Sequence, residues 1–390
     1  MNSRLFLFVI GTFIIGTDDF VIAGILPNIA RDLEVSIVAA GQLVTAFAFA
    51  YAISAPVLGA LTFQYPLKKL LVISMLLFTL SNGLSAIVPS FEWLLVTRIV
   101  AAMSAALFTP LAMAASASLV PETQRGRALS FITAGITVGL IAGAPIGTWI
   151  GHALGWRFSF LFVASIGLFT TLGMMALLPK MDREGTLSLK ERLTSLRPQV
   201  LLTLLVSIIG TIGGFATYTY IAPILSTITS LDNISWLLLL IGLGSLFGNL
   251  IGGYSTDRIG AAKTLQLSLG GFSLVLVFFS LLMWLTPGYT TIVLASIVAL
   301  LWGIPGFALN PALNSYLISL NPKQASMILS FGASALYIGI GLGAVVGGAV
   351  IHISSIHMVG IASAILVCVA LAVFRIVQQK YDTAPKHHHR

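Results

Sequence analysis

Twelve apolar runs, each about long enough to cross a lipid bilayer, constrain this chain more than any other feature of its sequence. A spanning helix needs ~20 mostly apolar residues. The runs fall near residues 5–27, 37–63, 70–88, 92–119, 128–150 and 158–179, then 199–222, 236–254, 264–285, 291–318, 325–350 and 357–378. The gaps are short, except for a polar stretch from Lys180 to Pro198 that leaves six runs on either side. Charged residues make up 8% of the 390 positions. Soluble domains carry about 25%, so this composition places the chain in lipid. The first run is too long for the apolar core of a signal peptide, carries Asp18 and Asp19, and lacks a small-residue cleavage site, so it reads as a retained span.

In a soluble protein a net charge of +8 would suggest nucleic acid as a partner; here the cations sort by side. Seventeen of the 20 Lys and Arg fall on one face, among them Arg4, Lys68, Lys69, Arg125, Arg258 and the cations of the 180–198 gap. The opposite face holds Arg31 and Arg157, and Arg98 lies inside the fourth run. Such a bias orients both termini toward the cytoplasm and makes the basic balance a topology signal, with no nucleic acid implied. Cys368 is the only cysteine, which excludes an intramolecular disulfide and a Cys-rich metal site. No Gly-x-x-x-x-Gly-Lys-Ser/Thr loop is present and no cofactor is called for. The run His387–His389 carries no functional reading.

The two sets of six runs repeat one another. Phe108-Thr109-Pro110 returns as Leu309-Asn310-Pro311, Pro121 as Pro322, and Ser130-Phe131 as Ser330-Phe331, each about 200 positions later. Gly59 and Gly253 open matching loops. The expected organisation is a six-helix bundle over 1–179, a cytoplasmic linker over 180–198, a second bundle over 199–378 and a tail over 379–390. Duplicated halves place a cavity at their interface near the bilayer midplane, and alternating access then needs only that the halves rock. The fold class is an all-α membrane protein of twelve transmembrane helices in two pseudo-symmetric bundles.

Several motifs carry a resemblance. After the eighth run the chain reads Gly253-Tyr-Ser-Thr-Asp257-Arg258-Ile-Gly260-Ala-Ala-Lys263, which resembles the cytoplasmic signature of the major facilitator superfamily. The matching loop of the first half keeps Gly59, Lys68 and Lys69 but has Phe63, Gln64 and Leu67 at the acidic, basic and second glycine positions. These residues are the expected cytoplasmic gate; Asp257 and Arg258 at a helix end can pair with each other or with a neighbouring helix terminus. In the fifth run Gly135, Gly139, Gly143, Gly147 and Gly151 recur every four positions, a small-residue stripe that lets another helix approach closely. With Pro145 it resembles the glycine–proline motif of the antiporter branches, although Ala144 separates the Gly-Pro pair. Gly339, Gly343 and Gly347 form a shorter stripe in the eleventh run. Arg98 and Trp156-Arg157 also fit the family.

Asp18 and Asp19 carry the most weight. They lie ~13 Å inside the outer end of the first run, and Arg98 lies ~9 Å inside that of the fourth, at ~1.5 Å per residue. Depths this similar allow one carboxylate to pair with Arg98. Adjacent residues are ~100° apart around a helix, so both aspartates cannot face one point. Low dielectric favours the neutral form of a carboxyl group and a nearby arginine the ionised one. A cavity that alternates between wet and dry can therefore swing a carboxyl group through neutral pH, which proton-coupled export requires.

The stretch Asp19-Phe-Val-Ile-Ala-Gly-Ile-Leu-Pro27 resembles the first helix of the twelve-spanner drug–proton antiporter branch, and within it looks most like the sugar-efflux and purine-efflux group. The resemblance covers nearly the whole chain. It implies a cavity lined by the first, fourth, seventh and tenth spans, which makes Phe215, Tyr218, Trp302, Phe307, Asn310 and Asn314 the pocket candidates. Tyr51, Asn249 and Tyr337 are secondary candidates. The expected function is a monomeric, proton-coupled exporter of small organic molecules or drugs in the bacterial inner membrane, with Asp18 or Asp19 carrying the proton and Arg98 tuning it. Its partners would be substrate, protons and the bilayer. The alternative is a dedicated exporter of purine bases, nucleosides or sugars. A non-transporting sensor or enzyme is the distant alternative, since His152, His352 and His357 near the outer surface have no clustered carboxylates beside them.

Overall fold

The computed structural model describes residues 3–62, 64–121, 124–181, 198–321 and 324–382. Most of the expected linker (182–197) and tail (383–390), together with Phe63, Pro322 and Lys323, lie outside these residues. The described chain is helical: α1 (Ser3–Asp32), α2 (Ile37–Leu61), α3 (Leu67–Ser85), α4 (Phe91–Ser118), α5 (Arg125–Leu154), α6 (Trp156–Leu177), α7 (Pro198–Tyr218), α8 (Ile221–Thr229), α9 (Ser235–Ile259), α10 (Ala261–Leu282), α11 (Tyr289–Leu320), α12 (Ala325–Ile353) and α13 (Val359–Asp382). Among the described residues, twelve helices are long and apolar enough to cross a membrane; α8 is the short one outside that set. The first and last described residues, Ser3 and Asp382, lie on one face, called here the terminal face, and the other is the outer face. Aromatic side chains stand exposed at both ends of the bundle, Trp93, Trp284 and Tyr289 on the outer side and Tyr65 and Tyr254 on the terminal side, where amphipathic rings favour the membrane–water boundary.

Three local features depart from a simple count of runs. The seventh run continues past 222 but breaks at Thr219–Tyr220 into α7 and α8, because Pro223 has no N–H to carry the backbone ladder through. The fifth run is interrupted at Gly139–Gly143 by a π-helical turn, just before Pro145, which likewise supplies no donor. Gly59 and Gly253, expected to open loops, instead lie inside α2 and α9. Their helices run on because the end of α9 is set seven residues later. There Gly260 takes φ +88°, a conformation that only glycine adopts without strain, and joins α9 directly to α10.

Packing sorts the helices into two sets. α1 packs on α5 and α6, α3 on α4 and α6, and α2 on α4; in the second set α9 and α10 pack on α11, and α7 on α12 and α13. The sets meet through α2 against α12, α5 against α9, and α1 against α8. On the outer side, Val21, Ile25 and Leu43 of the first set share one core with Tyr220, Leu225 and Leu238 of the second. Toward the terminal face the first set has a separate core around Phe8, Met75 and Phe108, and a small cluster around Leu204 and Ile328 belongs wholly to the second. The molecule is therefore closed on the outer face, while its cores part toward the terminal face.

Candidate functional site

The small-residue stripe of α5 sets the position of the acidic pair. A methyl group added at Gly139 would stand 2.5 Å from the Phe13 carbonyl oxygen; at Gly147, 2.7 Å from Val21; and at Gly151, 2.7 Å from Ile25. Gly135 faces Thr12 and Val9, and Gly143 faces Thr17. The stripe thus meets α1 along its own four-residue spacing, touching backbone before Asp18, at Phe13 and Thr17, and side chains after it, at Val21 and Ile25. Thr12 adds a hydrogen bond from its hydroxyl to the Ile132 carbonyl at 2.9 Å. The second half repeats the device: Gly339, Gly343 and Gly347 of α12 press on Thr211, Phe215 and Ala216 of α7.

The ~100° between adjacent residues sends the two aspartates in different directions. Asp18 turns into the first bundle, where Arg98 Nη1 donates to its Oδ1 at 2.7 Å. Both side chains are essentially inaccessible. The guanidinium also lies over the rings of Phe47, at 4.6 Å, and Phe160, at 5.6 Å. Asp19 turns to the other half, where the Tyr337 hydroxyl of α12 donates to its Oδ2 at 2.8 Å. Tyr337 is stacked on Tyr51 of α2, with ring centroids 3.6 Å apart and planes 13° from parallel. Asp19 Oδ1 is buried without a hydrogen-bond partner among the described residues.

Beside Asp19 an aromatic series crosses between the halves. Phe20 meets Phe215 at 6.4 Å and Tyr218 edge-on at 5.6 Å, and Tyr218 stacks on Trp302 at 5.2 Å. Trp302 is flanked by Phe272 and Phe307. Four of the pocket candidates are thereby brought together, but Tyr218 and Trp302 are sealed in the shared outer core while Phe215 and Phe307 are half-buried. Asn310 is half-buried and Asn314 exposed, ~12 and ~18 Å from Trp302 toward the terminal face along α11. Asn249 is half-buried in α9. Phe272 of α10 escaped the sequence reading; Gly214 and Gly306, which both face its ring, were the signal that a large side chain reaches in from behind. Tyr51 and Tyr337, ranked below the pocket candidates in the sequence, stand closest to the acid.

Of the expected gate residues, Lys68 donates to the carbonyls of Met175 at 3.0 Å and Leu178 at 2.5 Å, a cation at the carboxyl end of α6. Lys69 is exposed. Of the two partnerships expected for Asp257 and Arg258, with each other or with a neighbouring helix terminus, the first is not formed in this conformation: Arg258 donates to the Tyr254 hydroxyl one turn back, at 2.8 Å, and Asp257 has no ion pair among the described residues. A turn of helix separates i from i+4, whereas adjacent side chains diverge, so Tyr254 is the better placed partner. Asp32, unremarked in the sequence, accepts from Trp156 Nε1 at 3.0 Å and pairs with Arg157, tying the outer ends of α1 and α6.

Comparison with known proteins agrees with this architecture. The family described as Major Facilitator Superfamily matches residues 8–326, with a second match over 203–389. The inner membrane transport protein YdhP of Escherichia coli (strain K12) is 34% identical over 354 residues, which cover 90% of this chain and 89% of that protein. A chloramphenicol resistance protein of Streptomyces lividans is 34% identical over 265 residues, covering 66% of this chain and 68% of that protein. The crystal structure of the nucleoside transporter NupG superposes with a TM-score of 0.78 at 13% identity, covering 97% of this chain and 99% of that one. That last likeness is one of fold.

Proposed function

This chain belongs to the major facilitator superfamily, and we propose that it is a proton-coupled exporter of small organic molecules, of the drug–proton antiporter branch, working by alternating access. It is a multi-pass protein of the inner membrane, a transporter and not an enzyme. In the proposal, residues 1–179 and 199–378 are the two rocking bundles, both termini face the cytoplasm, and the working unit is a monomer.

One observation carries the choice of proton carrier: Asp18 has a cationic partner and Asp19 a neutral one. Neutralising Asp18 would strand a buried guanidinium, a change that costs about 3–5 kcal/mol when one member of a buried pair is lost. Asp19 can take a proton without stranding any charge. Asp19 is therefore the coupling carboxyl group, Arg98 is the ion partner of Asp18, and Asp18 anchors α1 to α4. Phe20, Phe215, Tyr218, Trp302 and Phe307 form the substrate surface, with Asn310 and Asn314 on the path to the terminal face. Aromatic faces suit planar molecules and lipophilic cations, and the resistance named for the Streptomyces relative supports the direction of transport.

The test is transport in proteoliposomes under an imposed pH gradient, with chloramphenicol as the first probe and dyes, purine bases and nucleosides beside it. Asp19→Asn is expected to abolish gradient-driven accumulation while leaving exchange down a substrate gradient. Accumulation that persists in Asp19→Asn would refute the assignment. The buried indole Nε1 of Trp302, without a partner among the described residues, favours a second reading, a dedicated exporter of a planar metabolite bearing an acceptor, such as a purine base. Transport of one chemical class and no unrelated cation across the panel would select it.

A further inference from the structure

Contacts between α2 and α12 descend from the outer face in order. Val38 lies beside Gly348, Thr45 and Phe49 lie against Gly341, and Tyr51 stacks on Tyr337. The Tyr337 hydroxyl then leaves this seam and reaches Asp19 on α1. It is a polar bond between the two halves, at the point where their common core gives way to separate ones. No aliphatic contact at this depth responds to charge; this one does.

We propose that Tyr337, seated by Tyr51, is the positioning residue through which the protonation of Asp19 sets the balance between the two conformations. The inference rests on the assignment of Asp19 as the coupling group. A phenol donating to a carboxylate makes a charge-assisted hydrogen bond, roughly twice as strong as one to a neutral acid. Ionised Asp19 thus holds α1 against α12 and favours the conformation closed on the outer face. Taking up a proton weakens the tie and releases the halves. The charged and titratable groups that face Asp19 and Tyr337 are Asp18 on α1, Arg98 on α4 and Tyr51 on α2. Tyr218 of α7 lies beside Phe20. Arg98 is engaged with Asp18 at 2.7 Å, so among the described residues the phenol is the one donor bonded to Asp19. The difference between a charged and a neutral hydrogen bond predicts about a fivefold change in the ratio of the two states.

The experiment measures the inter-half distance against pH in the full-length protein. Cys368→Ser removes the native thiol, and spin labels are placed at Gly126→Cys and Gly332→Cys, near the terminal-face ends of α5 and α12. A side chain at Gly126 meets open space and one at Gly332 meets only Leu317 at 3.7 Å. In the wild-type background the distance distribution is expected to shift with pH. Tyr337→Phe, which keeps the ring and its stack, should cut that response about fivefold, Asp19→Asn should abolish it, and the double variant should match Asp19→Asn. Tyr51→Leu, which unseats the tyrosine but keeps its hydroxyl, should weaken the same response and covers the case in which Tyr337→Phe fails to fold. A pH response of wild-type size in both Tyr337→Phe and Tyr51→Leu overturns the inference. If Asp19→Asn alone flattens the response, the coupling assignment survives and only the role of Tyr337 falls. A wild-type response in Asp19→Asn removes both.

Discussion

Breaking the buried ion pair of Asp18 and Arg98 tests the division of labour between the two aspartates. The pair is 2.7 Å long, and its side chains are 0% and 1% exposed. Removing either partner should cost about 3–5 kcal/mol, most of it the penalty of leaving the other charge in low dielectric. The two losses should be unequal. A stranded carboxylate can neutralise itself by taking a proton, whereas a guanidinium stays charged at any accessible pH. Asp18→Asn is therefore expected to cost more than Arg98→Met, even though the arginine also loses its contact with Phe47. Lowering the pH should narrow the deficit of Arg98→Met and leave that of Asp18→Asn unchanged. The double variant Asp18→Asn with Arg98→Met buries no charge and should lose less than the sum of the singles by about 2 kcal/mol, within the range of measured couplings. Reversible unfolding in mixed micelles, read from tryptophan fluorescence at two pH values, supplies all four numbers. Additive losses, or a deficit in Arg98→Met that acid does not relieve, would refute the argument.

Other substitutions follow from the same packing. Gly139→Ala forces a methyl group against the Phe13 carbonyl, a backbone atom that cannot swing aside, and should destabilise by about 1–3 kcal/mol in the same unfolding assay. Gly59→Ala meets nothing within 4 Å in a helix and should be neutral or stabilise by about 0.5–1 kcal/mol; a large loss there would show that the position serves a gate. At Gly260, with φ +88°, alanine should cost about 1–3 kcal/mol through backbone strain alone, measured against Gly253→Ala as the unstrained control. Phe272→Ala empties the space between Gly214, Gly306 and Trp302, should cost about 3–5 kcal/mol, and should weaken substrate binding in a fluorescence titration by unseating the indole.

The number of spans was legible because lipid imposes length and apolarity on every crossing helix, and the π-turn and the α7 break hardly disturb that signal. The glycine stripe was legible as a close approach, but its partner was not: a spacing of four says that some helix comes near, and only the fold shows that the helix is α1. Depth alone matched Arg98 to the acidic pair without saying which aspartate it would take. That choice turns on the rotation of α1 about its axis, which Gly135 through Gly151 set by contact rather than by any pattern within α1. The partner that Arg258 takes was not legible for a related reason, since a signature motif names residue types and the helix geometry then chose Tyr254. Tyr337 was undervalued because a tyrosine in a span is ordinary; its weight comes from a partner 318 positions away.

The two adjacent acids of one span take different partners, one within a bundle and one across the interface. Asp18 joins α1 to α4 within the first bundle, by a pair whose loss would strand the Arg98 guanidinium. Asp19 joins α1 to α12 across the interface, by a bond that survives neutralisation in weakened form. The stripe of α5 grips the same stretch of α1, at backbone before Asp18 and at the Val21 and Ile25 side chains after it, which resists the rotation that would exchange the two partners. In the proposed mechanism a rigid mount stands beside a titrating tie, as rocking between the halves requires. A change at Asp19 can then be expressed as motion between the halves, because the alternative, a local shift of α1 within its own bundle, is held by both Arg98 and the glycines.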